Sequence, residues 1–279
     1  MKVNLAKSAG FCFGVKRAIE IAKKVASNNK KVFIFGEIVH NEQVSQKLYK
    51  LGIRKLERLK NGKEKILLIR AHGVGKNILK RAREEGYKIV DATCPMVKEI
   101  HKIAKEEEKR ERKIIVVGDK NHDEVLGIIG QLKTAPIVID PKEKIGIRKI
   151  RKINRASVVV QSTQDIEQIE KIRGIMEKYI KDLKFFNTVC KPTRIKQEEI
   201  KTLPRENDLV LIIGSSTSAN TKRLYEIAKK INKNTFWINN KKDIKPEWFQ
   251  GINSIGVTAG ASTPEETIRE VVDFVRKLN

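Results

Sequence analysis

The chain has 279 residues, 40% of them hydrophobic, with 59 Lys+Arg against 34 Asp+Glu for a formal net charge of +25, enough length for a sizeable core in two or three small domains. It contains no apolar run of the roughly 18 residues a membrane helix needs, "MKVNLAKSAG" lacks the apolar centre of a signal peptide, and three widely separated cysteines make no disulfide framework, so a cytoplasmic protein without membrane association is expected. The positive charge favours anionic partners, but much of it lies in mixed runs such as "KEEEKRERK" (105–113) that suit solvated helix faces, and no basic stretch is interleaved with aromatics, so no nucleic-acid partner is expected.

Taken from the N-terminus, "VNLAKSAGFCFGVKRAIEIAKKV" reads as a strand, then Cys12, then a helix. The glycines of "GFCFG" allow a sharp turn into the helix and a close backbone approach to a bulky group. Phe11 and Phe13 are expected to exclude water there or to fill the core. A second strand, "VFIFG", ends at Gly36 and is followed by His40; a third, "ILLIRAHGV", carries His72. The order then begins again. "YKIVDATCPMVKEIHKIAKEEE" gives strand, Cys94, helix, with His101 on the helix as a structural or surface residue. "IIVVG" ends at Gly118 and leads to His122, Asp123 and Glu124, and "SVVVQSTQD" carries Ser162 and Thr163. The third pass is "DLKFFNTVCKPTRIKQEEIKTL" around Cys190, then "LVLIIG" to Gly214, the loop "GSSTSANTKRL" with Ser218 and Asn220, and "SIGVTAGAST" with Ser262.

Gly36, Gly118 and Gly214 stand at an identical interval beyond Cys12, Cys94 and Cys190, and His40, His122 and Ser218 each follow their glycine by the same step. Independent placement does not produce three equal intervals, so the chain reads as three copies of one unit. Alternating strands and helices imply an α/β fold with parallel sheets. The expectation is three similar small α/β domains, 1–93, 94–186 and 187–279, in a pseudo-threefold arrangement around a central cavity. In such sheets the loops at the carboxyl ends of the strands form the ligand site, and the three cysteines, His40, His72, His122, Thr163, Ser218 and Ser262 all fall at such ends.

A thiol at a helix N-terminus is biased toward thiolate. Three converging thiolates need a cation between them. Zinc cysteines normally come in local pairs, and none occurs here. Widely spaced cysteines suit an iron–sulfur cluster better, and three ligands on a 4Fe–4S cluster would leave one iron open to a substrate oxygen. Buried core cysteines are the plain alternative. The other strand ends are rich in anion donors: His40, His72, His122, the Gly/Ser/Asn loop entering a helix at Ser218, and Ser262 as a possible helix cap. Glu124 is the acid placed to deliver a proton to a leaving hydroxyl, with Asp123 its competitor.

The motifs "GFCFGVKRAI", "HN" at 40–41, "RAHGV", "DATCPMV", "KNHDEV", "FNTVC", "NTKRL" and "TAGASTP" resemble those of the 4-hydroxy-3-methylbut-2-enyl diphosphate reductases over essentially the whole chain. The resemblance implies one 4Fe–4S cluster per chain on Cys12, Cys94 and Cys190. It also implies an allylic diphosphate substrate, reduction to isopentenyl and dimethylallyl diphosphate, and ferredoxin or flavodoxin as electron donor. Glu124 would be the proton donor, and His40, His72, His122, Ser218, Asn220 and Ser262 would hold the diphosphate. Two positions depart from the family pattern. Ser162 replaces the first Thr of a Gln-Thr-Thr run, leaving open whether Ser162 or Thr163 meets the substrate hydroxyl. Ala219 stands in the diphosphate loop and offers only its backbone N–H. Other three-cysteine cluster enzymes of the quinolinate synthase kind share the architecture, but not this His/Ser/Asn set.

Overall fold

The apolar runs read from the sequence become the inner strands of three four-stranded parallel sheets. The computed structural model describes residues 1–278, apart from the side chain of Lys149. In chain order the elements are β1 (Lys2–Leu5), α1 (Phe13–Asn28), β2 (Val32–Phe35), α2 (Glu42–Lys50), β3 (Arg54–Leu56), β4 (Ile66–Ile69), α3 (Lys76–Glu84) and β5 (Lys88–Asp91). There follow α4 (Pro95–Lys109), β6 (Lys113–Val117), α5 (Asp123–Ile129), β7 (Ile137–Ile139), α6 (Ile147–Ile150), β8 (Arg155–Val160), α7 (Ile166–Glu177) and β9 (Asp182–Phe186). The last set is α8 (Lys191–Thr202), β10 (Leu209–Ile213), α9 (Ala219–Ile231), β11 (Thr235–Ile238), β12 (Ser254–Ala259) and α10 (Glu265–Arg276).

The chain forms two compact units. The first is Met1–Lys16, Val39–Lys47 and the chain from Lys191 on; the second is Arg17–Ile38 and Leu48–Cys190. The first unit holds the sheet β1-β12-β10-β11, and the second holds β3-β2-β4-β5 and β7-β6-β8-β9. All three sheets have one topology. Each is entered after a cysteine-bearing turn and its helix, and each ends on an edge strand that leads into a cysteine. In the first unit that edge strand is β1, so the N-terminus completes the sheet built by the C-terminal third, with Val3 opposite Ile255. The other two sheets are each built from one continuous stretch of chain, 32–91 and 113–186. The sequence marks three strands in each block. The short strands β3, β7 and β11 make the fourth, at the opposite edge from the cysteine strand.

Period-two alternation divides the cores. In the first unit, Leu209, Leu211 and Ile213 of β10 face α10 through Ile268, Val271, Val272 and Val275, while Val210 and Ile212 face Ile200 of α8 and Leu224 and Ala228 of α9. In the second unit, Val158 and Val160 of β8 pack with Ile169, Ile172 and Met176 of α7. Ile114, Val116 and Val159 pack with Ile100 and Ala104 of α4 and with Val125 and Ile128 of α5. Burial on both faces is what a parallel sheet covered by helices requires, and it fixes where each strand ends. Among the described residues no helix is long and apolar enough to cross a membrane.

Candidate functional site

In the first unit the turn after β12 gathers the expected residues. Cys12 directly precedes α1, and its N–H donates to the Ala261 carbonyl at 3.1 Å. Gly10, with φ +94°, makes that loop possible: a Cβ there would sit 3.0 Å from Ile268 of α10. The Ala261 N–H in turn donates to Asn220 Oδ1 at 2.9 Å. Asn220 is buried, and its Nδ2 is a donor with no partner. Ser218 caps α9 by accepting from the Thr221 N–H at 3.3 Å, which puts Ala219 and Asn220 in the first helical turn with their N–H groups unspent. Ser262 is not a helix cap. Pro264 occupies that position of α10, and the Ser262 hydroxyl instead donates to the His40 carbonyl at 3.0 Å. Asn41, beside His40, caps α2 by accepting from the Val44 N–H at 3.0 Å.

The second unit repeats the arrangement twice. Cys94 is the N-cap of α4, and its N–H donates at 2.9 Å to the carbonyl of Ala71, the neighbour of His72. The Cys190 N–H donates at 3.1 Å to the Ser162 carbonyl. Each cysteine therefore hangs by the same backbone hydrogen bond from the turn after the third strand of its sheet. All three are half-buried at helix starts, and the His72 and His122 rings meet edge-on with centroids 5.4 Å apart.

Glu124 lies in the first turn of α5, 1% exposed. Its Oε1 accepts from the Ser162 N–H at 2.6 Å and its Oε2 from the Ser162 hydroxyl at 2.8 Å, while its own N–H donates to His122 Nδ1 at 3.1 Å. Burial pushes the carboxyl's pKa up, against the two bonds from Ser162, which pull it down. Asp123 is committed elsewhere, in an ion pair with Arg70 at 2.6 Å. The Thr163 hydroxyl accepts from Gln161 Nε2 at 3.1 Å, so Ser162, not Thr163, is the hydroxyl on the buried acid. Phe11 and Phe13 are 37% and 69% exposed, and neither fills the core.

The LytB protein family model matches residues 3–276. The chain belongs to the LytB family. Within it, the chain is 37% identical to a 4-hydroxy-3-methylbut-2-enyl diphosphate reductase of Aquifex aeolicus over 99% of its length and 96% of the relative's. It is 39% identical to the protein of that name from Dictyoglomus thermophilum, over 100% and 97%. A solved structure of (E)-4-hydroxy-3-methyl-but-2-enyl diphosphate reductase, described as the terminal enzyme of the non-mevalonate pathway, superposes with a TM-score of 0.73 at 35% identity, covering 99% of this chain and 100% of that one. The Plasmodium falciparum E-1-hydroxy-2-methyl-but-2-enyl-4-diphosphate reductase gives a TM-score of 0.89 at 27% identity, covering 98% and 87%. The LytB-family fold here also uses residues the sequence did not single out. Ala261 joins Cys12 to Asn220 through its backbone alone, which no residue type announces.

Proposed function

We propose that this LytB-family chain reductively removes the allylic hydroxyl of 4-hydroxy-3-methylbut-2-enyl diphosphate. Two electrons and two protons give isopentenyl or dimethylallyl diphosphate and water. The observation that carries the reading is Glu124, a carboxyl with raised pKa, buried and clamped by Ser162 in a chain whose full-length relatives bear that enzyme's name.

Cys12, Cys94 and Cys190 are the residues we assign to a 4Fe–4S cluster. Three half-buried thiols, each at a helix start and each hung from an equivalent turn, fit a soft-metal group that wants thiolate ligands. When bound, such a cluster supplies the electrons and, at the iron without a thiolate, a Lewis acid for the substrate hydroxyl. The protein's own groups do the rest. Glu124 retains a proton because burial disfavours its anion, and it releases that proton to the departing hydroxyl, with Ser162 fixing both carboxyl oxygens. His40, His72, His122, Ser218, the Ala219 N–H, Asn220 and Ser262 hold the diphosphate. The unpartnered Asn220 Nδ2 is the donor most in need of an acceptor. Anchoring the diphosphate positions the reacting carbon.

A ferredoxin or flavodoxin in the cytoplasm is the electron donor we assign, because a net charge of +25 attracts acidic carriers. The test is anaerobic purification followed by a visible spectrum with iron and sulfide analysis. A brown protein with about four irons per chain is expected; a colourless, iron-free protein contradicts the assignment.

A further inference from the structure

Helix α8 carries a buried cation that no step above uses. Lys196 is 3% exposed, and its Nζ donates to the Ser8 carbonyl and, at 3.0 Å, to the Ala259 carbonyl. Glu199, at i+3 on the same helix face, accepts from the Lys7 N–H at 2.6 Å, from the Ser8 N–H at 3.0 Å and from the Ser8 hydroxyl. Ser8 is therefore gripped at its carbonyl, its N–H and its side chain by one face of α8. Four residues later the same loop presents Cys12. Lys196 also spans the two chain segments that meet at that ligand, since Ala259 ends β12 and leads into Ala261, the acceptor of the Cys12 N–H.

A fully buried ammonium is costly, and the partners its Nζ meets here are neutral carbonyls. An apolar side chain there would avoid the desolvation cost of the ammonium but leave the Ser8 and Ala259 carbonyls without that donor. Burial disfavours the Lys196 ammonium, and the charges that Cys12 as a thiolate and Glu199 as a carboxylate carry favour it. A positive charge kept at that cost beside a thiolate ligand stabilises negative charge there. A cluster on three thiolates is net anionic and gains negative charge each time it is reduced.

We propose that Lys196, which shares its grip on Ser8 with Glu199, is a positioning residue that holds the Cys12 loop and raises the reduction potential of the cluster bound there. This rests on the cluster assignment above, and the test separates the two. Wild type, Lys196→Arg, Lys196→Gln and Lys196→Met are reconstituted anaerobically. Iron and sulfide are counted, folding is checked by circular dichroism, and the midpoint potential is read by a titration followed by electron paramagnetic resonance.

The expected result is a full cluster in wild type and in Lys196→Arg at nearly the same potential, with Lys196→Gln and Lys196→Met shifted to more negative potential. If a neutral variant folds but takes up less iron than Lys196→Arg, that loss supports the positioning part. Neutral variants with wild-type potential and full iron overturn the proposal while leaving the cluster assignment intact. So does Lys196→Arg shifted as far as Lys196→Met, or Lys196→Arg losing as much iron as the neutral variants. A wild-type protein with no cluster overturns the assignment itself, and this proposal with it.

Discussion

Protonating His101 is expected to cost the fold about 3 kcal/mol. His101 lies two turns along α4 from Cys94, 7% exposed, with its Nε2 buried and unpartnered. Its ring lies under two glycines, one in the loop after β4 and one in α5. A Cβ on Gly73, next to His72, would come 2.8 Å from His101 Cε1, and one on Gly127, a turn beyond Glu124, 3.5 Å from Nε2. Burial, and then the charge of Lys105, hold its pKa down at about 4, against an ordinary 6.5. The sign follows from linkage. Above about pH 6.5 the ring is neutral in both states and contributes nothing. As pH falls below that, the unfolded chain takes up a proton that the folded protein refuses, so stability is lost until about pH 4. At about 1.4 kcal/mol per unit the loss reaches about 3 kcal/mol, a large part of the 5–15 kcal/mol usual for a domain. Urea unfolding of the cluster-free protein at several pH values, in wild type and His101→Leu, reads it directly. The wild type is expected to lose that much more stability than the variant between about pH 6.5 and 4. Parallel curves would refute the assignment of the slope to His101.

Three further substitutions probe separate parts of the molecule. Ser162→Ala removes the hydroxyl bond to Glu124 Oε2, a loss of about 0.5–1.5 kcal/mol for a bond to a neutral carboxyl; steady-state kinetics should show kcat down by roughly two- to tenfold, with Ser162→Thr restoring it. Asn220→Asp replaces an unpartnered buried donor with a carboxylate where an anion is assigned, so KM should rise by roughly tenfold or more, and by more than in Asn220→Ala. Arg112→Met breaks a buried node at the opposite end of the β7-β6-β8-β9 sheet, where Arg112 meets Ser157 at 2.8 Å and Asp182 at 2.7 Å and lies 3.5 Å from the buried Glu107. Urea unfolding should show a loss of about 3–5 kcal/mol with turnover of the folded protein unchanged.

What could be read in advance follows from where the physics is local. The inner strands β2, β6 and β10 are apolar runs, and their ends are marked by Gly36, Gly118 and Gly214. The edge strands β3 and β7 have three residues each and no apolar alternation long enough to notice. Ser262 looked like a cap because Ser, Pro and two glutamates form the usual start signal. A tertiary partner, the His40 carbonyl, took the hydroxyl instead. Asp123 and Glu124 were indistinguishable until Arg70, distant in sequence, claimed one and Ser162 the other. Lys196 was hidden for the same reason: on a helix with many charges, only the fold shows which lysine is buried. Phe11 and Phe13 needed the exposed surface itself to be known.

The most direct test of the proposed chemistry is turnover of 4-hydroxy-3-methylbut-2-enyl diphosphate by the anaerobically reconstituted protein with a reduced viologen dye, followed by product analysis, with Glu124→Gln in parallel. The expected result is conversion to isopentenyl and dimethylallyl diphosphates by wild type, and a rate lower by about 10²–10⁴-fold in Glu124→Gln at equal iron content. A fully loaded wild-type protein that leaves the substrate unchanged, or a Glu124→Gln variant with undiminished turnover, would contradict it.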